Sequence, residues 1–270
     1  MTLSEAAAWP AVIIRATRAE LRKLRNTLVV LVVLVVPVAV LLILGANVAT
    51  RDPTARLPGA DPWRSLLDNF ALWLWGHLAL PLLVALVTAL LAGIEHADNH
   101  WVRLFALPTP RWAIYAAKLI TAALLLSVSS LVLALGIGLT GLALDALSPA
   151  RGLQPPVPWG EIISQVAAVN AASALLVAVQ AWLALRWQSF SLACGVAIGG
   201  TVVGLLAMFT GRSLAGGAGL GALLPWSMPV AVVPVPPSGG WSLPLLAASL
   251  VGGLVVAVLG CWDVVRRDVS

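Results

Sequence analysis

The chain has 270 residues, of which 60% are hydrophobic and only 10% are charged. Soluble domains carry about 25% charged residues, so this composition excludes an ordinary soluble protein and indicates an integral membrane protein. The net charge of +5 fits basic cytoplasmic loops, and we expect no nucleic-acid binding because no soluble basic face is predicted.

Residues 10–26 are predicted to form an amphipathic helix before the first span. Its less polar face is Ile14, Thr17, Leu21, Leu24 and Leu28, which recur at steps of three and four. The charged side chains of the segment are Arg15, Arg18, Glu20, Arg22, Lys23 and Arg25. Such a helix lies in the membrane interface, with its guanidinium groups at the lipid phosphates. The alternative is a simple basic anchor with no further role.

Six apolar stretches are each long enough to cross a hydrocarbon core about 30 Å thick as a helix, which takes roughly 20 residues. They cover residues 28–49, 70–94, 119–144, 162–185, 192–209 and 243–262. We therefore predict an all-α integral membrane fold with one transmembrane domain over residues 1–270. Most of the 16 Lys and Arg residues fall in loops that are cytoplasmic if both termini are inside, so that orientation is expected.

The loop between spans two and three mixes charged and aromatic side chains. The residues that we expect to carry its function are Glu95, Asp98, Asn99, Trp101, Arg103, Phe105, Leu107, Pro108 and Arg111. Asp98 or Asn99 can cap a short helix that ends before Pro108. An amphipathic helix displaying Trp101 and Phe105 at a cytoplasmic tip predicts a docking element.

His96 and His100 in the same loop are four residues apart, with Glu95 adjacent. They would share one helix face, but the H-E-x-x-H arrangement of a zinc protease is absent. A pair of surface histidines is the favoured interpretation, and a metal site is the alternative.

Span four is more polar than the others. Its polar residues Gln165, Asn170, Ser173 and Gln180 fall on one helical face. Polar side chains in a membrane face the bundle interior or a cavity. They predict either hydrogen bonds that hold neighbouring helices together or a candidate substrate path.

Span five contains Gly195, Gly199, Gly200 and Gly204, which give two small-xxx-small spacings that permit close helix contact. After it, residues 211–242 are broken by Gly and Pro too often to span as one helix, so short re-entrant helices on the outer side are predicted. Trp226 in this segment is expected at the outer interface, either beside a substrate path or as an anchor.

Two kinds of chemistry lack their sequence signature. The lysines Lys23 and Lys118 follow Arg22 and Ala117, so no G-K-[ST] of a nucleotide-binding P-loop is present. No G-x-S-x-G of a serine hydrolase occurs. If ATP drives this protein, another chain binds it.

Ionisable residues are nearly absent from the predicted spans, where His77 is the exception. The lack of carboxylates argues against proton-coupled transport. Cys194 and Cys261 both fall in apolar stretches without a metal-binding spacing, so we expect two buried thiols and no disulfide.

The order of these features resembles a known family. Glu20-x-x-Lys23-x-Arg25, six spans, and a loop of the form Glu95...Asn99-x-Trp101...Leu107-Pro108...Arg111...Tyr115...Lys118 resemble the permease subunits of ABC-2 type transporters. The segment Leu224-Pro225-Trp226-Ser227 is similar to the branch of lantibiotic and bacteriocin immunity permeases.

The resemblance implies half of a transporter. The basic helix would be the connecting helix, residues 95–111 would dock on a separate cytoplasmic P-loop ATPase, and a second permease copy or paralogue would complete the path. The ATPase would bind ATP and Mg²⁺, so this chain needs no cofactor, metal or catalytic residue of its own.

The expected function is that of a non-enzymatic permease in the bacterial cytoplasmic (inner) membrane. With its ATPase it would export an amphipathic substrate, such as an antimicrobial peptide, and contact membrane lipids. The alternatives are a membrane-embedded metal hydrolase that uses His96 and His100, and a signalling or scaffold membrane module.

Overall fold

The computed structural model of the chain describes residues 3–25, 27–52, 61–67, 71–96, 110–187, 189–215, 220–233 and 242–266. Within these ranges the regular structure is helical and contains no strand. The side chains of residues 3–8, 95–96, 209–215 and 220 are not described, although their backbone belongs to helical elements.

The longer helices follow the apolar stretches of the sequence. In chain order the α-helices of the described residues are α1 (Leu3–Lys23), α2 (Leu28–Ala49), α3 (Pro62–Leu66), α4 (Leu72–Leu74), α5 (Leu80–His96), α6 (Arg111–Leu147), α7 (Trp159–Ala171), α8 (Ala174–Arg186), α9 (Phe190–Ala215), α10 (Met228–Ala231) and α11 (Leu243–Arg266). A π-helical turn, Trp75–Ala79, joins α4 to α5, and short 3-10 turns lie at Pro149–Arg151 and Leu220–Leu223.

Five helices of the described chain are long and apolar enough to cross a membrane, and one bent helix pair brings the number of candidate spans to six. This confirms the all-α integral membrane fold. The second span, Leu72–Ile94, runs through the π-helical turn. Large apolar side chains such as Leu31, Leu139 and Leu254 are exposed on the bundle surface, as lipid-facing residues are.

Helix α6 is longer than its apolar stretch. The sequence predicts a span from residue 119, but the helix has 37 residues and begins at Arg111, directly after Pro110. A proline fits the start of a helix because its missing N–H would be unsatisfied there in any case. The ends of the bundle are named here after this helix, the Arg111 end and the Leu147 end.

The fourth span is broken, whereas the sequence predicts one continuous helix over 162–185. Helices α7 and α8 meet at an angle of 41°. The Ser173 hydroxyl donates a hydrogen bond to the Asn170 carbonyl at 2.6 Å, and such a local bond competes with the helical pattern. The prediction of a continuous fourth helix is therefore wrong.

Helix α11 supplies the polar groups that the break needs. The buried Ser249 hydroxyl accepts a hydrogen bond from the Leu175 backbone N–H at 3.2 Å and donates one to the Ala172 carbonyl at 2.6 Å. Gly253 allows this approach, because a Cβ atom there would lie 2.8 Å from the Ala174 carbonyl carbon. One hydroxyl thus satisfies two backbone groups that the bend frees.

Helix α6 is the centre of the bundle. It packs against α1, α2, α5, α7, α8 and α11, and its buried apolar residues include Leu126, Leu133 and Ile137. Its Arg111 end is where the first helix of the chain joins the bundle, and the candidate site is built there.

Candidate functional site at the Arg111 end

Helix α1 presents different side chains to the bundle than its sequence pattern suggests. Thr17, Glu20 and Leu24 are buried, while Ile14 and Leu21 are exposed. The predicted less polar face is therefore divided: Thr17 and Leu24 pack against the bundle, while Ile14, Leu21 and Leu28 remain exposed. Arg15, Arg18, Arg22 and Arg25 are exposed, as an interfacial helix requires.

An ion-pair cluster explains why Glu20 lies on the buried side of α1. Its Oε2 lies 2.9 Å from Lys118 Nζ, and its Oε1 lies 2.7 Å from Lys23 Nζ. The side chains of Glu20 and Lys118 are only 6% and 3% exposed. We call these three residues the Glu20 cluster; it joins α1 to α6.

The cluster also reaches the second span. Lys118 Nζ donates a hydrogen bond to the Leu91 carbonyl of α5 at 3.2 Å. Placing two charges in a buried site is costly unless they are paired and hydrogen-bonded. Together these contacts fix the relative positions of α1, α5 and α6 at one point.

Neighbouring residues of α6 hold two further contacts. The Trp112 ring lies 5.5 Å from the Trp9 ring of α1, centroid to centroid. The Tyr115 hydroxyl lies against Gly260 of α11, at a place where a Cβ atom would collide with it. The first two turns of α6 therefore contact α1, α5 and α11.

Most of the predicted docking segment lies outside the described residues. This applies to Asp98, Asn99, Trp101, Arg103, Phe105, Leu107 and Pro108. Glu95 belongs to the last turn of α5 and Arg111 is the first residue of α6. The hydrogen bond from Lys118 to Leu91 thus fastens together the two helices from which this segment departs.

Of the polar residues of the fourth span, two are hydrogen-bonded to other side chains. The Asn170 amide accepts a hydrogen bond from Ser130 and donates one to Ser127, both at 3.2 Å. Gln165 donates to the Glu161 carboxylate at 3.2 Å. Asn170 therefore links α7 to α6, which is the helix-joining role considered from sequence.

Gln180 is different. Its side chain is completely buried, and neither amide atom has a hydrogen-bond partner within the described part of the chain. A buried amide without a partner costs about 1–3 kcal/mol. Gln165 also lacks a described partner at Oε1, but its Nε2 is hydrogen-bonded, whereas both amide atoms of Gln180 are unsatisfied among the described residues.

At the Leu147 end, Trp226 fills the glycine notch of α9. Its ring lies against Gly200, and Ser227 lies 3.5 Å from the position of a Cβ atom on Gly204. Within this chain, these two glycines therefore contact the segment with Trp226 and Ser227 rather than another long helix. Gly195 and Gly199 have no described atom within 4 Å of a Cβ position, so their side of α9 is open.

The structure adds no further ligands to a metal site at His96 and His100. Within the described ranges no group of three or more His, Cys, Asp or Glu side chains could hold a metal ion. His96 is the last residue of α5, and His100 lies outside the described residues.

Sequence reasoning missed two functional contacts. Glu20 was expected among the exposed charges of an interfacial helix, and Ser249 attracted no prediction. A signal for the first did exist: both lysines of the chain pair with this one carboxylate. A lysine seven residues into a long apolar helix needs a buried partner, and Glu20 lies in a neighbouring amphipathic helix.

The fold and the site define a multi-pass membrane protein whose first helix is tied to its second and third spans by buried charge. The model of the family described as ABC-2 family transporter protein matches residues 16–204, about seven-tenths of the chain. The chain belongs to this family and is a membrane component of a transporter. The match includes Glu20, Lys23 and Lys118. No curated protein and no solved structure matches the chain.

Proposed function

We propose that this chain is the permease subunit of an ATP-driven exporter in the bacterial inner membrane, with both termini and the Arg111 end in the cytoplasm. The observation that carries the proposal is the Glu20 cluster, in a chain of the ABC-2 family. It joins the helices on both sides of residues 97–109 to the basic helix α1.

In this proposal a cytoplasmic P-loop ATPase docks on residues 95–111. When nucleotide binding moves the docked segment, α5 and α6 are displaced together, because Lys118 bonds to the backbone of α5. Helix α1 follows through its carboxylate. ATP and Mg²⁺ belong to the ATPase, and the permease responds through these contacts alone.

Two features support a second permease copy. One chain offers at most six spans, which are few for a path between two lobes. The open side of α9 at Gly195 and Gly199 allows another helix to approach closely. A second copy of this chain, or a paralogue, would pack there.

For the substrate we propose an amphipathic molecule, most simply an antimicrobial peptide. The supporting observations are the scarcity of ionisable groups in the spans and the segment Leu224–Ser227, similar to that of immunity permeases. Gln180, with its unsatisfied amide, is the best candidate in the fourth span for contact with substrate after a conformational change. Trp226 is better suited to closing the Leu147 end, since it packs on Gly200.

The docking step is tested with Trp101→Ala and Phe105→Ala in the full chain, expressed with its ATPase. Truncating an aromatic anchor that fills a pocket on a partner costs about 2 kcal/mol or more. Each variant should therefore lower co-purification of the ATPase by at least about tenfold. Trp187→Ala is the matched control, because Trp187 is an exposed tryptophan beyond this segment. Equal co-purification in all variants would contradict the docking site.

A further inference from the structure

A buried imidazole lies in the π-helical turn of the second span. His77 is 6% exposed and sits in the middle of the turn Trp75–Ala79. Single π-turns inside α-helices occur frequently at functional sites, and an ionisable residue within a span suggests a function by default. The transport mechanism proposed above does not use this residue.

Each nitrogen of the His77 ring faces a hydrogen-bond acceptor. Nδ1 lies 3.2 Å from the Trp73 carbonyl oxygen, and Nε2 lies 3.2 Å from the Met208 sulfur of α9. A neutral imidazole has one N–H and one lone pair. Neither the carbonyl nor the thioether can donate a hydrogen. In either neutral tautomer, one of the two contacts therefore sets two lone pairs against each other.

A positive charge at this point removes the conflict. It can be a second proton on the ring or a metal ion between Nε2 and the sulfur. The sulfur of Met208 decides between the proton and the metal ion. Thioether sulfur is a weak hydrogen-bond acceptor but a good ligand for soft ions such as Cu(I), which imidazole also suits.

We propose that His77 and Met208 bind a soft monovalent metal ion, Cu(I) or its analogue Ag(I). The Nδ1–H group donates to the Trp73 carbonyl and so orients Nε2 toward the ion, as second-shell partners of metal-bound histidines do. The Trp73 ring, whose centroid lies 5.1 Å from that of His77, adds an electron-rich face that attracts cations.

The surroundings of His77 and Met208 favour an ion that carries one positive charge and needs few ligands. Transferring an ion from water into an apolar site costs less for a monovalent than for a divalent cation. Zinc sites use four ligands, and the described residues hold no group of three His, Cys, Asp or Glu. One nitrogen and one sulfur instead match a two-coordinate soft ion.

The distance between His77 Nε2 and the Met208 sulfur must increase if an ion is to bind between them in a linear arrangement. Taking the bond lengths of zinc as a guide, about 2.0 Å to nitrogen and about 2.3 Å to sulfur, the two atoms would stand about 4.3 Å apart. They are now 3.2 Å apart. Methionine has three rotatable bonds and adapts easily, so a movement of about 1 Å lies within its reach. Ion binding would then join the second span to α9 at the Leu147 end.

The test uses the full chain purified in detergent, without any ATPase, so its result is independent of the proposed export function. The background carries Cys194→Ser and Cys261→Ser, which removes both thiols of the chain. Ag(I) is titrated in, and the metal that remains after desalting is counted per chain. We expect one ion per chain in this background.

Met208→Leu and His77→Phe should each weaken silver binding by more than the roughly 10- to 100-fold that loss of a second-shell partner costs. Met208→Cys, which restores a soft ligand, should retain binding. Met228→Leu is the matched control, because Met228 is a buried methionine elsewhere. His96→Gln with His100→Gln controls for the loop histidines. X-ray absorption of the Cu(I)-loaded background should show nitrogen and sulfur neighbours.

Three results would overturn the proposal. The first is silver binding of equal affinity in Met208→Leu. The second is loss of binding only in the His96→Gln and His100→Gln variant. The third is no silver binding in the background. Thermal unfolding of each variant shows whether a loss reflects misfolding, and Met208→Cys decides the case if Met208→Leu does not fold.

Discussion

Glu20 and Lys118 are 98 residues apart in sequence, and their side chains form a buried ion pair of 2.9 Å. The pair decides which face of α1 meets the bundle, because the carboxylate must reach α6. A buried pair is weak evidence of net stability, but removing one partner is costly. Its value here is positional, since it places the first helix against the two helices that flank residues 97–109.

Glu20→Gln should lower the free energy of unfolding by about 3–5 kcal/mol, because the Lys118 ammonium would stay buried without its carboxylate. The double variant with Lys118→Met should recover much of this loss. Lys23→Met is the control, since Lys23 is about one-third exposed and its pair is worth about 1 kcal/mol or less. Thermal unfolding in detergent measures all four proteins. A double variant no more stable than Glu20→Gln alone would contradict the buried pair.

Ser249→Ala should destabilise the protein by about 1–3 kcal/mol, because a Leu175 N–H and an Ala172 carbonyl would lose their partner in the break. Ser164→Ala is the matched control: its hydroxyl also donates to a backbone carbonyl, but at an exposed site, where changes stay within about 0.5 kcal/mol. The measurement is again thermal unfolding. Equal stability of the two variants would mean that the bend does not depend on Ser249.

Adjacent glycines of α9 offer a sharp comparison. Gly200→Ala places a methyl group against the Trp226 ring, and overpacking of this kind costs about 1–3 kcal/mol. Gly199→Ala meets open space within one chain and should stabilise the helix of the detergent-dispersed monomer by up to about 1 kcal/mol. Thermal unfolding of the full chain measures both substitutions. Trp226 fluorescence is followed in a variant that keeps only this tryptophan. The same effect from both substitutions would argue against the Trp226 contact.

The dimer proposal predicts crosslinks at the open side of α9. With Cys194 and Cys261 replaced by Ser, Gly195→Cys or Gly199→Cys should form disulfide-linked dimers in native membranes on oxidation. Leu254→Cys is the control, because Leu254 is an exposed residue of a different span. Crosslinks that form only at Leu254 would place the seam elsewhere.

Export of a peptide has a cellular readout. Cells that express this chain with its ATPase should tolerate a peptide antibiotic better than cells whose ATPase lacks its catalytic glutamate. The difference should disappear with Trp101→Ala, if residues 95–111 couple the two proteins. Equal sensitivity across a panel of peptides, together with ATP-dependent uptake of a solute, would show that the direction is wrong.

The spans could be predicted from sequence because hydropathy is a local property. The first span matches Leu28–Ala49 at both ends, since its apolar residues begin and end where the helix does. The start of α6 was missed by eight residues because Arg111 and Lys118 interrupt the apolar pattern, although neither interrupts the helix. Local composition thus locates a span better than it locates the helix ends.

The contacts of the site were beyond the reach of local patterns. The bend at residues 172–173 is stabilised by Ser249, 77 residues away from Ala172, and nothing near Ala172 indicates it. Glu20 looks like one more charge of a basic helix until its partner in α6 is known. Polar groups in an apolar bundle are matched across helices, so single-helix periodicity cannot assign their partners.

The length of α6 has a mechanical consequence. A helix of 37 residues is about 55 Å long, well beyond the roughly 30 Å hydrocarbon core. About 44 Å of uninterrupted helix separates Lys118 from Leu147. If the helix tilts as a rigid rod by about 5° around its Lys118 end, Leu147 and the adjoining turn at Pro149–Arg151 are carried sideways by about 4 Å. Because Arg151 hydrogen-bonds to the last carbonyls of α2, that sideways motion would pull on the first span as well.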